Sequence, residues 1–267
     1  MIPLLLRSAS RARLPLMGVA LLLCGFQLVI IGQAVSIQRS NAFGSLANLM
    51  PEFLQRGLGS RAMLLATFKG TVAFGYFHPV VCILVAVLAM YITTEVAHEV
   101  EAGLVDIELA RSVPRHRLLT RSLLLAHAAA AIIIAMMALG TWLGVRVFDA
   151  AAFEMPSTAA RVRLLGNLFA LASLFSAFGL LVASSAARWV SAFTAAGLFA
   201  VVAYIADFLA LGWKGMERFA WLSPFHYFPA LSVLAGDAPM ARNLSVLYTA
   251  AVIMSVAAYW RFHRRDL

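Results

Sequence analysis

The chain has 267 residues, of which 63% are hydrophobic and only 12% charged, and its mean hydropathy is +0.88. Soluble domains average about 45–50% apolar and about 25% charged residues, so the composition excludes a soluble globular fold and implies an integral membrane protein. The net charge of +9 is then read as basic residues flanking membrane spans and meeting anionic headgroups; no nucleic-acid partner is expected.

A span needs roughly 20 apolar residues, and six stretches qualify. The first, about Leu16–Val35, follows Arg7, Arg11 and Arg13. Its leader-like start lacks an A-x-A-like cleavage site before a soluble domain, so it is read as a retained span. In the loop that follows, Phe43, Leu46, Leu49, Met50, Phe53 and Leu54 recur at helical spacing, which predicts a helix on the membrane interface or packed on the spans. The second span covers about Val72–Ile92, reaching back toward Met63 if Lys69 snorkels, and His78-Pro79 is expected to kink or delay its start. The third runs about Leu118–Val145, the fourth Leu164–Ala186, the fifth Trp189–Leu211 and the sixth Leu244–Trp260. Before the sixth, Trp213, Trp221, Phe225, Tyr227 and Phe228 fit an interfacial aromatic belt.

No repeat, linker or soluble domain interrupts this pattern, so residues 1–267 read as a single all-α transmembrane domain. An even number of spans puts both termini on one side. Basic residues divide almost evenly between the two sides, but those on the termini side sit in shorter segments, which weigh most in orientation. The termini are therefore expected in the cytoplasm, with the protein in the cell (inner) membrane.

Motifs for chemistry are sparse. There is no G-x-x-x-x-G-K-[ST] run to cradle nucleotide phosphates and no G-x-S-x-G elbow. His98-Glu99 starts like a zinc-protease helix, but Ala102 stands where the second histidine is required. The remaining histidines lack ligand spacing, and Cys24 and Cys82 sit in apolar runs. No catalytic, cofactor-binding or metal-binding residue is expected. Polar groups inside the spans are few, namely Gln27, Gln33, His127, Asn167 and Asp207. Small residues spaced by four, such as Ser173 with Ala177 and Ala192 with Ala196 and Ala200, suit close helix packing.

The most charged segment between spans is Thr94–Arg121, with Glu95, Glu99, Glu101, Asp106 and Glu108 followed by Arg111, Arg115, Arg117 and Arg121. Each charge costs roughly 2.5–3.5 kcal/mol to insert in hydrocarbon, so the segment is expected outside the bilayer. Acids first and bases last suit a helix macrodipole, and Leu104, Ile107 and Val100 supply an apolar face, with Pro114 ending or bending the helix.

The order Glu99-Val-Glu101-Ala-Gly103, then Asp106, Leu109-Ala110 and Ser112-Val-Pro114-Arg115, resembles the first cytoplasmic loop of type-2 ABC exporter permeases. The Leu222-Ser223-Pro224 element and the Phe262-His-Arg264-Arg265-Asp266-Leu267 tail are similar to that family too. Departures are the displaced proline, with Ser112 in its usual place, and Arg121 where lysine is common. The resemblance implies about six spans, a cytoplasmic coupling helix over Glu95–Arg117 between the second and third, and short re-entrant or interfacial helices before the last. It implies a permease that pairs with a separate ABC ATPase subunit, as a homodimer in a two-plus-two complex, with ATP and Mg held by the partner. Glu95, Glu99, Glu101, Gly103, Asp106 and Arg115 are then the expected partner interface, with Gly103 allowing close backbone approach. The alternative is an ion-gradient-driven secondary transporter using Asp207, which the scarcity of intramembrane acids disfavours.

Overall fold

The computed structural model describes residues 2–43, 62–105 and 114–265. Within them the chain is helical, with no strand. Six helical segments are long and apolar enough to cross a membrane: Ser8–Arg39, Phe68–Glu101, Arg115–Val147, Thr158–Ala183, Trp189–Ala210 and Met240–His263. All six expected spans are present, and most are longer than hydropathy alone delimits. The first belongs to a helix that begins at Ile2. The second runs to Glu101, so Glu95 and Glu99 lie on the span itself and not at the start of a separate loop helix.

The second span breaks where Pro79 requires it. Proline lacks an N–H and pushes the preceding residue out of helical geometry, and His78 sits at φ −53°, ψ 139° between Phe68–Phe77 and Pro79–Glu101. The His78 ring accepts the Val80 N–H at 3.2 Å, which caps the new helix. Lys69, in the first turn of this span, reaches Glu154 at 2.6 Å across the end distant from the termini.

The second and fourth spans form the centre of the bundle, each 67% buried over its most apolar window, against 22–33% for the other four. The first packs along the third, the fourth along the sixth, and the fifth lies against the second. The small-residue stripe Ala192, Ala196 and Ala200 is fully buried inside this single bundle. A second apolar cluster at the distal end joins Ile31, Val35, Phe68, Val72 and Ala150, with Phe43 packed against it. The interfacial helix expected over Phe43–Leu54 lies, apart from Phe43, outside the described residues.

Ahead of the sixth span the chain forms short helical turns at Lys214–Glu217, Ala220–Leu222, Pro224–Tyr227 and Ala230–Ala235. Ser223 fastens them. Its hydroxyl donates to the Ala203 carbonyl of the fifth span at 2.9 Å and accepts the Phe225 N–H at 3.2 Å. Asn167 of the fourth span donates to the Tyr227 carbonyl at 3.1 Å.

Candidate functional site

The acids that close the second span build a polar junction at the termini end of the bundle. Glu95 and Glu99 are four residues apart, hence on one helix face. Arg11 of the first span approaches both, at 2.8 Å from Glu95 and 3.7 Å from Glu99. Glu99 also pairs with Arg121 of the third span, and these side chains are 2% and 0% exposed. Charges this deep persist only when paired and hydrogen-bonded. The pairing explains why the helix carries them inward past the point where single-residue hydropathy ends the span.

Glu101 faces the other way. Its carboxylate accepts the Trp189 N–H at 2.9 Å. Trp189 is the first residue of the fifth span, and the preceding Arg188 offers no side-chain cap. Helix starts leave N–H groups without intrahelical acceptors, and a carboxylate there also suits the macrodipole. Glu101 therefore caps the fifth span from across the bundle. Glu101→Ala is expected to fray that start at a cost of about 1 kcal/mol, read as faster hydrogen exchange at the amides of residues 189–193 with the rest of the fifth span unchanged.

Beyond Glu101 the helix ends on Ala102, whose N–H bonds back to His98, and Gly103 turns left-handed at φ +65°. That is the usual helix stop that only glycine adopts without strain. Among the described residues a side chain at Gly103 would meet nothing within 4 Å. Val105 then turns back into the protein, 1% exposed, among Val96, Leu118, Leu119, Leu180, Ala258 and Phe262. Asp106 and the rest of residues 106–113 lie outside the described residues.

Pro114 is the cap residue of the third span. Arg115 donates to the carbonyls of His263 and Arg265 at 3.3 and 2.5 Å, gripping the end of the sixth span. Arg265 in turn donates to the Ser184 carbonyl at the end of the fourth span, at 3.4 Å. Partial burial pulls the Arg265 guanidinium down from its ordinary value. Thr120 and Tyr259 share a hydroxyl hydrogen bond of 2.8 Å between the third and sixth spans.

The end of the second span and Arg115 thus bond to the first, third, fifth and sixth spans at one end of the bundle, and Arg265 adds the fourth. Of the expected interface residues, the structure brings Glu95, Glu99, Glu101, Gly103 and Arg115 to this junction. Arg11, Arg121, Val105 and the Trp189 N–H were not among the residues singled out for the site. Two carboxylates one turn apart on an apolar helix need two cations at matching depth, and Arg11 and Arg121, each just inside a span end, were the signal. Nothing local marks Trp189, which is 88 residues from its cap.

The opposite end holds the acid of the alternative reading. Asp207 lies 3.9 Å from His226. Burial, with the Arg242 charge adding to it, lowers the His226 pKa. Among the described residues no three His, Cys, Asp or Glu side chains are placed to hold a metal ion.

No curated protein matches the chain. A family model described as the C-terminal domain of the multidrug efflux system permease Rv1217c matches residues 29–263. The match takes in the second to sixth spans, part of the first, and the segment that forms the junction. The chain therefore belongs to the family of the Rv1217c multidrug efflux permease C-terminal domain, and it is a multi-pass membrane protein of permease type.

Proposed function

We propose that the chain is the membrane-spanning subunit of an ATP-driven ABC exporter of the type-2 kind, working with a separate ATPase subunit in a two-plus-two complex. The observation that carries this reading is the bonding of the segment's two ends, Glu95–Glu101 and Arg115, to the first, third, fifth and sixth spans at one end of the bundle. A partner that moves this segment moves Arg11, Arg121, Trp189 and the end of the sixth span together, because each is bonded to it. Packed helices respond to such a displacement by switching between discrete arrangements. Gly103, where an added side chain would meet no described residue within 4 Å, and Asp106 would be offered to the ATPase, while Glu95, Glu99, Glu101 and Arg115 carry the motion inward. The termini and this junction would face the cytoplasm of the cell membrane. The family's description as a multidrug efflux permease supports an amphipathic organic cargo, moved outward.

The test is a gentle-detergent purification of the tagged protein, with mass spectrometry and an ATPase assay on the eluate. Co-purification of a nucleotide-binding subunit, lost in Gly103→Trp while the variant stays monodisperse and thermally stable, is the expected result. A stable, inserted protein that never retains an ATPase, and whose transport instead follows an ion gradient, would overturn the reading in favour of a carrier dependent on Asp207.

A further inference from the structure

A cleft of about 340 Å³ opens at the termini end between the start of the third span and the end of the sixth. Pro114, Arg115, His116 and His263 line its mouth, and Leu119, Tyr259 and Phe262 form its floor. Among the described residues no acidic side chain lines it. The third span is a helix of 33 residues whose cap residue, Pro114, makes no side-chain cap bond, so the positive end of its macrodipole lies at Pro114, Arg115 and His116 of the lining. Uncapped helix starts of this kind attract phosphate oxygens. Arg115 spends one guanidinium nitrogen on the His263 and Arg265 carbonyls, which also covers the negative end of the sixth span.

The depth of the cleft identifies the occupant. Trp260, 56% exposed, adjoins Tyr259 of the floor, and Arg264 lies over its ring at 4.2 Å. An exposed tryptophan topped by an arginine marks the headgroup level of a bilayer. Basic pockets between spans at that level suit anionic lipid headgroups. We propose that this cleft binds the phosphate of an anionic phospholipid, with the glycerol end on Leu119, Tyr259 and Phe262 and the acyl chains left in the bilayer. The lipid would bridge the third and sixth spans and share Arg115 with the junction.

The test uses the full-length protein in neutral detergent, titrated with phosphatidylglycerol, phosphatidylcholine or inorganic phosphate, and read by native mass spectrometry and thermal unfolding. Phosphatidylglycerol should give a retained adduct and a raised midpoint, and phosphatidylcholine neither. The double variant His116→Glu/His263→Glu, at two exposed positions, should weaken the adduct by about tenfold or more while leaving the midpoint without lipid unchanged. An equal midpoint shift from inorganic phosphate would overturn the lipid assignment in favour of free phosphate. An unchanged lipid adduct in the double variant, with loss of a co-purifying ATPase, would show that the cleft serves a protein partner instead.

Discussion

Glu99→Leu is expected to lower stability by about 3–5 kcal/mol, and the double variant Glu99→Leu/Arg121→Met to recover most of that loss. Both side chains are essentially without solvent, so removing the carboxylate leaves the Arg121 guanidinium charged in a low-dielectric site. Arg121→Met alone should cost less, because Glu99 keeps Arg11 at 3.7 Å. The order of the three variants carries the argument: Glu99→Leu worst, Arg121→Met intermediate, the double variant best. Denaturant titration in mixed micelles measures it, and single variants within about 0.5 kcal/mol of the parent would contradict a paired buried charge. The double variant also separates holding from transmitting. Its apolar contact fills space but has no directional bond between the second and third spans. On the proposed exporter reading, transport should therefore fall in the double variant even where stability returns.

The number, order and approximate place of the spans were legible because hydropathic length is a property of each stretch by itself. The same holds for local signals. His78-Pro79 breaks its helix through a missing N–H. What escaped reading depends on two bodies. Hydropathy prices Glu95 and Glu99 one at a time and so ends the second span before them, while the structure cancels the cost with Arg11 and Arg121 from other spans. The expected interface residues were legible as a charged motif, but their division of labour was not. Glu101 was visible as an acid beside a glycine, yet its role as a cap for the fifth span depends on where Trp189 docks. Gly103 was expected to permit a close approach, and within the chain it provides a left-handed helix stop.

Within the bundle, close approach belongs to Gly140, and Gly140→Ala is expected to destabilise the protein by about 1–3 kcal/mol, with Gly140→Leu worse. A Cβ added there would stand 2.2 Å from the Cys24 carbonyl oxygen and 3.0 Å from the Cys24 Cα. These are backbone atoms of the first span, so no rotamer change relieves the clash and the two helices must separate. Small residues allow membrane helices to gain contact by bringing backbones together, and that gain is lost along the whole interface when they part. The first span also carries Arg11, so separation lengthens its bonds to Glu95 and Glu99 at the junction. Gly197→Ala is the control, because among the described residues a side chain there meets nothing within 4 Å and alanine is the better helix former. Thermal midpoints in detergent should fall for Gly140→Ala and hold or rise for Gly197→Ala. Equal tolerance at both positions would mean that the first and third spans do not meet backbone to backbone, and the Arg11 contacts would then need another anchor.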